Sequence, residues 1–358
     1  MQALGLGAVG QRNEQGNMKQ PTLSVLDQSV SVFGSSEDAA IRDTLDLAQH
    51  CERLGYSRFW VSEHHGLPTI VGSAPEMLMA AIAARTDRIR IGSAGVMLPH
   101  YSALKEAEQF RVLEALAPGR IDLGVGRAPG GDMRTARALN PNAHSAADNF
   151  PEQVRDLQAW TSTGAHLGIT AHPLGPHAPE IWILGSSDYG AQLAALFGLP
   201  YAFAYFFTDG QGAAQALEIY RQLYRPSARH PKPEATLCVW ALAADTHEEA
   251  QHQGLGRERW RVDRARGIFG PLQAPEVIAA RGFGADEMPT IEAMRAKAFV
   301  GTGEEVAAKL RALARQFDLD EIVINTWAHA PSVRRHSYAL LAREFGLAAT
   351  TSVEAPAR

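Results

Sequence analysis

From Thr22 to about residue 345 the chain alternates short apolar strand patterns with helical patterns, and it does so eight times. Strand patterns fall at 23–26, 57–62, 89–98, 121–125, 181–184, 201–207, 236–243 and 321–325, with helical patterns between them. Eight strands each followed by a helix is the arithmetic of a single (β/α)8 TIM barrel. A doubly wound sheet of fewer strands gives a similar alternation, so the count alone leaves that reading open. The length of 358 residues is enough for two domains, but a barrel spends about 250 residues or more on one. No strand-rich or helix-only region marks a second domain.

Punctuation supports these elements. Ser35 followed by Asp38 resembles a capping box that opens a helix reaching residue 54, where Gly55 ends it. Pro75 stands where a first-turn proline belongs, ahead of an apolar helix over 76–85. Thr302 and Glu305 form a second capping box before a helix over 304–317. The excess length lies in two places. One is the loops around a helix over 151–160, before the fifth strand. The other is the stretch from about 251 to 300, which reads equally as an active-site cover and as a surface excursion. The barrel thus spans 22–346 with an insertion at about 251–300. Residues 1–21 are expected to be a disordered extension, with Met18 as an alternative start, and 347–358 a flexible tail. Gly5-Leu6-Gly7-Ala8-Val9-Gly10 matches a dinucleotide fingerprint, but no strand precedes it and no amphipathic helix follows.

Charge narrows the partners. A net charge of −5 and a pI near 6.2 offer no attraction to nucleic acid or an anionic membrane. Cys51 and Cys238 are too few and too far apart for a disulfide framework or a zinc site, and read as buried free thiols. With no signal segment and no run of membrane-spanning length, a cytoplasmic protein is expected.

Three strand patterns end in residues unsuited to a strand interior. They are Trp60-Val61-Ser62-Glu63-His64-His65-Gly66, Ile121-Asp122-Leu123-Gly124-Val125-Gly126-Arg127 and Ile181-Trp182-Ile183-Leu184-Gly185-Ser186-Ser187. In a barrel the carboxyl ends of strands carry the active site, so the three are expected to converge on one ligand. His64 points away from Glu63 and His65 along an extended chain and is a candidate acid–base group, the alternative being a structural histidine. No spacing suggests a metal site, and none is expected. Gly185, Ser186 and Ser187 before a helix offer backbone N–H groups and hydroxyls to an anion, with Arg127 adjacent. A serine that merely caps the helix is the competing reading. No Gly-x-Ser-x-Gly nucleophile elbow occurs. Phe206, Phe207 and Trp327, near other strand ends, are candidates for a substrate pocket or for core packing.

Together with Ile91-Gly92-Ser93-Ala94-Gly95-Val96-Met97-Leu98-Pro99, these motifs resemble, in order and spacing, the bacterial luciferase-like flavin monooxygenases. The likeness runs from about Thr22 to Leu347. It implies a luciferase-like barrel that takes reduced FMN and O2 and oxygenates a small organic substrate, a separate flavin reductase supplying the reduced cofactor. Coenzyme F420 in an oxidoreductase on the same barrel, or flavin binding without catalysis, are alternatives the family contains. The resemblance assigns His64 as the catalytic histidine and Ala94-Gly95 as a cis peptide supporting the flavin ring. It places Arg127, Ser186 and Tyr189 at the flavin phosphate. It also implies a homodimer through the helices at 76–85 and 104–116. Gly126 stands where luciferases carry a reactive cysteine and Gly185 where they carry an acid, so light emission from a long-chain aldehyde is not expected.

Overall fold

The computed structural model describes residues 20–128, 132–162 and 164–348. The glycine motif at 5–10, Met18, Pro129, Gly130, Gly131 and the tail from 349 lie outside the described residues.

The chain begins with β1 (Thr22–Asp27), α1 (Glu37–Leu54), β2 (Arg58–Val61), α2 (Pro75–Ala83), β3 (Arg90–Met97), α3 (Ala103–Leu116) and β4 (Ile121–Gly126). Next come three helices, α4 (Met133–Leu139), α5 (Ala143–Ala146) and α6 (Phe150–Ser162), and a small antiparallel hairpin of β5 (Ala165–His166) and β6 (Ile169–Thr170). The series resumes with β7 (Glu180–Gly185), α7 (Asp188–Phe197), β8 (Tyr201–Phe203), α8 (Tyr205–Thr208), α9 (Ala213–Leu223) and β9 (Ala235–Ala244). After α10 (His247–Ala265), α11 (Pro275–Arg281) and α12 (Met288–Ala296), the chain closes with β10 (Phe299–Thr302), α13 (Gly303–Phe317), β11 (Glu321–Asn325) and α14 (Pro331–Glu344).

The parallel order β9-β11-β1-β2-β3-β4-β7-β8 returns to β9, which closes an eight-stranded (β/α)8 barrel. The alternation of eight units is therefore a barrel and not an open sheet. Strand β10 lies outside the ring, beside residues 241–244 of β9, while β11 pairs with 237–240 of the same strand.

Three local expectations are corrected. Ser36, not Ser35, caps α1, its hydroxyl accepting from Ala39 N–H at 3.2 Å; Gly55 then stops the helix at φ +86°. The strand expected over 201–207 ends at Phe203, and Tyr205–Thr208 turns helical. That aromatic run is apolar because it faces a cavity and the core, a pattern that mimics a strand. The loop expected after β4 folds into α4, whose N-cap Asp132 accepts from Arg134 and Thr135 N–H at 2.8 Å each.

Inside the ring, Leu26, Trp60, Trp182, Ala202, Cys238 and Val323 form one buried layer, the two indoles meeting edge to face at 5.2 Å. Losing either indole would cost about 3 to 5 kcal/mol, because a layer fixed by eight strands closes poorly over a cavity. Beneath the layer Asp122, fully buried, accepts from Arg58 Nη1, Trp60 Nε1 and Arg90 Nε at 2.9–3.0 Å. Glu180 pairs with both arginines and Glu321 with Arg58, and this ionic plug shuts the amino-terminal end. The ligand therefore has the carboxyl-terminal end to itself.

The insertion packs over that end. Leu272 exchanges backbone hydrogen bonds with Ser31 and Phe33 at 2.9 Å. It is buried with Val30, Ile70, Trp240, Leu242 and Trp327. Within the insertion Arg259, buried, meets Glu287 through two 2.9 Å bonds. These contacts make it a packed layer and not a loose excursion. Among the described residues no helix is long and apolar enough to cross a membrane.

Candidate functional site

At the carboxyl ends of the strands lies a cavity of about 400 Å³. His64, Ala94, Gly95, Arg127, Gly185, Ser186, Ser187 and Tyr189 all line it, so the three strand ends do converge.

His64 follows β2. Its N–H donates to Gly72 O at 2.9 Å and its Nδ1 lies 3.1 Å from Ser62 Oγ. Burial, more than any other influence, pushes its pKa down to about 4; Arg264 and His65 act in the same sense and Glu63 opposes them. A neutral imidazole is the result over ordinary pH. Glu63 is fully buried and holds the scaffold: it accepts from Met97 N–H at 2.8 Å, Tyr101 OH at 2.5 Å and His65 Nε2 at 2.7 Å. These bonds tie the end of β2 to the end of β3. His65 is therefore a structural partner of Glu63, while His64 faces the cavity.

The Ala94-Gly95 peptide is cis, as the resemblance implied. A Cβ on Gly95 would lie 2.2 Å from Leu184 Cδ1, and one on Gly124 would lie 2.1 Å from Ser93 O. Glycine is required at both positions by this close approach of β3, β4 and β7. Gly126 differs, since a Cβ there meets nothing within 4 Å. Its missing side chain leaves space in the cavity itself.

The opposite wall is cationic and donor-rich. Arg127 is exposed, its guanidinium lying 4.1 Å from the centre of the Tyr189 ring. Ser187 is the N-cap of α7 and makes no side-chain capping bond. Its hydroxyl, that of Ser186 and the unpaired N–H groups of the first helical turn are all available to an anion. The reading of a serine that merely caps is thus not what the structure presents.

Phe206 and Phe207 line the cavity and Trp327 does not. Trp327 is buried against Trp260, its Nε1 donating to Gln28 Oε1 at 3.0 Å. Gln28, Trp60, Met97, Phe150 and Cys238 also line the wall and were not anticipated. Gln28 follows the end of β1 and the strand-end rule reaches it. Cys238 lies mid-strand with no signal beyond alternation. Both cysteines are buried free thiols. At the other end of the barrel Glu180, His230 and Glu234 bring possible ligand atoms within 4.8 Å of one another. Glu180 is there already held by Arg58 and Arg90.

A parallel barrel with a cationic, donor-rich wall, a neutral histidine and an apolar pocket at its carboxyl end is the arrangement of a barrel enzyme. The chain belongs to the luciferase-like monooxygenase family, whose profile matches residues 22–319. It is 42% identical over 332 residues to the uncharacterized protein YwcH of Bacillus subtilis, covering 90% of this chain and 99% of that one. It is 36% identical to an N-acetyl-S-alkylcysteine monooxygenase of the same organism, over 89% of this chain and 96% of that one. The crystal structure of apo-MsnO8 matches with a TM-score of 0.86 at 33% identity, covering 93% and 99% of the two chains. More distant folds include a monooxygenase constituent solved with FMN (TM-score 0.66, 17% identity) and an F420-dependent alcohol dehydrogenase (0.60, 16%).

Proposed function

We propose that the chain is an FMN-dependent monooxygenase that oxygenates a small organic substrate, with reduced flavin delivered by a separate reductase. One observation carries the reading: the eight residues expected to serve a flavin line a single cavity, with the anion-binding wall and the neutral His64 both opening into it. The residues fit the cofactor. Arg127, Ser186, Ser187 and the first turn of α7 suit its phosphate, and Ala94, Gly95 and Leu184 offer an apolar wall to its ring. When bound and reduced, the flavin supplies the electrons that activate O2.

The chain's own residues bind, orient and exclude water. Phe206 and Phe207 close one side of the pocket, and the docked insertion covers the barrel end. In the tautomer in which Ser62 Oγ donates to Nδ1, the neutral His64 carries its N–H on Nε2 and offers it as a hydrogen bond to a bound group. The named substrate of the N-acetyl-S-alkylcysteine relative makes thioethers the first compounds to try. A homodimer through α2 and α3 belongs to the same reading, because Met77, Val112 and Leu116 on these helices are exposed at 72%, 48% and 60%.

The test is reconstitution of the apo protein with FMN and, separately, with F420, followed by oxygen uptake with each reduced cofactor. Tight FMN binding and thioether-dependent oxygen uptake are expected. Binding of F420 alone, with hydride transfer and no oxygen consumption, would replace the proposal by the deazaflavin reading. FMN binding without turnover of any substrate would leave a flavin carrier.

A further inference from the structure

The insertion encloses a second, smaller cavity of about 100 Å³ against the barrel, between α10, α12, α13 and Trp240 of β9. Arg257, Arg261, Arg295 and Lys309 face it, against a single lining carboxylate, Glu258. Three of these cations are engaged. Arg261 meets Asp209 through bonds of 2.9 and 2.7 Å, Arg295 meets Glu258 through two of 2.7 Å, and Lys309 donates to Ala298 O at 2.9 Å. Arg257 has no ion-pair or hydrogen-bond partner among the described residues; its guanidinium lies over the Trp240 ring, 4.3 Å from the centroid.

Trp240 adds a second unmet donor. It is 6% exposed, and its Nε1–H has no hydrogen-bond partner among the described residues. A buried donor without an acceptor is uncommon, because the lost hydration is not recovered. Gly254 points the same way. Glycine inside a helix costs stability, so it calls for a reason. Gly256 has one, since a Cβ there would fall 3.0 Å from Gln273 O. A Cβ on Gly254 would meet only Trp240 Cη2, at 4.0 Å, and so would occupy the cavity.

We propose that this cavity is a second anion site, which takes a small oxyanion between the Arg257 guanidinium and the Trp240 indole N–H. Both groups only donate, so the complementary ligand is one that only accepts: a carboxylate or a phosphate. Burial, and then the neighbouring Arg261, push Arg257 down to about 9, which is the penalty a bound anion would relieve. Arg261 joins this wall to Asp209, one residue past α8, which carries Phe206 and Phe207. An anion here would fasten the insertion to the wall of the first cavity.

The test uses the full chain carrying Arg127→Met, which removes the arginine of the first cavity, and titrates inorganic phosphate and acetate separately by calorimetry and thermal melting. Saturable binding of one of them, at a Kd of about 1 mM or tighter, is expected together with a raised Tm. Preference for phosphate or for acetate identifies the source of the anion. Arg257→Met added to this background should weaken binding by roughly tenfold or more, while Arg257→Lys keeps part of it. Without anion Arg257→Met should melt close to its parent, because it removes a half-buried guanidinium that makes no ion pair among the described residues. Trp240→Phe removes the N–H donor together with the fused five-membered ring and should weaken binding, its Tm without anion reporting the packing cost separately. The inference is overturned if neither anion saturates, or if binding is the same in Arg257→Met and Trp240→Phe as in the parent. Failure of FMN to bind at Arg127 would leave this outcome untouched.

Discussion

His64 is half-buried, and its neutrality can be tested without knowing the substrate. Its folded pKa of about 4 lies below the usual 6.5, so the unfolded chain binds the proton more readily. The associated stability is complete above about pH 6.5 and is lost as pH falls toward 4. Discounted for partial exposure, the loss is about 1 to 2 kcal/mol. Wild type should therefore lose more Tm between pH 7 and pH 5 than His64→Gln; parallel melting curves would place the imidazole in a charged site instead. At neutral pH His64→Ala should retain its fold and FMN affinity while turnover falls by about 10² to 10⁴, the range for removed acid–base catalysis. An early melt with normal turnover of the folded fraction would make the residue structural. Arg127→Ala should weaken FMN by about 1.5 to 3 kcal/mol and Ser186→Ala by about 1, since the helix N–H donors remain. Equal affinities in a titration of apo protein would refute both. His64, Arg127 and Ser186 were legible because they interrupt apolar strand patterns at the end where barrels bind ligands. Trp60 and Cys238 were not, because a residue inside a strand looks the same whether it faces a layer of side chains or a pocket.

Elements whose ends carry capping chemistry were read closely. The Glu321–Asn325 strand falls on its expected limits, and Thr302 with Glu305 forms the anticipated box. Thr302 Oγ1 accepts from Glu305 N–H at 3.2 Å, and Glu305 Oε2 accepts from Thr302 N–H at 2.8 Å. Thr302→Ala should lower stability by about 1 kcal/mol, a loss of a few degrees in Tm. An unchanged Tm would mean that α13 is held by packing alone. What escaped the reading had weak periodicity or a misleading one. Helices α4 and α5 are short and polar, the β5–β6 hairpin has two residues in each strand, and the aromatic run through Phe207 is helical despite its strand-like composition. In each case tertiary surroundings, and not local preference, decide the conformation.

The barrel itself was legible as a count, because eight alternations leave few other ways to bury every strand. A homodimer is expected through the resemblance alone. Sedimentation at micromolar concentration should give a dimer. Met77→Glu with Leu116→Glu should give a folded monomer, since charge at the centre of an apolar contact is costly. A wild-type monomer would leave those side chains without the expected cover. The pairing of β10 with β9 carries a different consequence. The excursion leaves β9 at Ala244 and returns at Phe299, whose partner on the parallel ladder is Ala241 of the same strand. A long segment whose two ends lie on one ladder adds little closure entropy as it grows, because that cost rises only with the logarithm of length. The region from α10 to α12 is thus a cassette in the topological sense: it can lengthen, shorten or be exchanged for a relative's version while β9, β11 and the rim of the first cavity keep their register. New substrates would then be acquired by rewriting a detachable roof, with the walls of the first cavity left as they are.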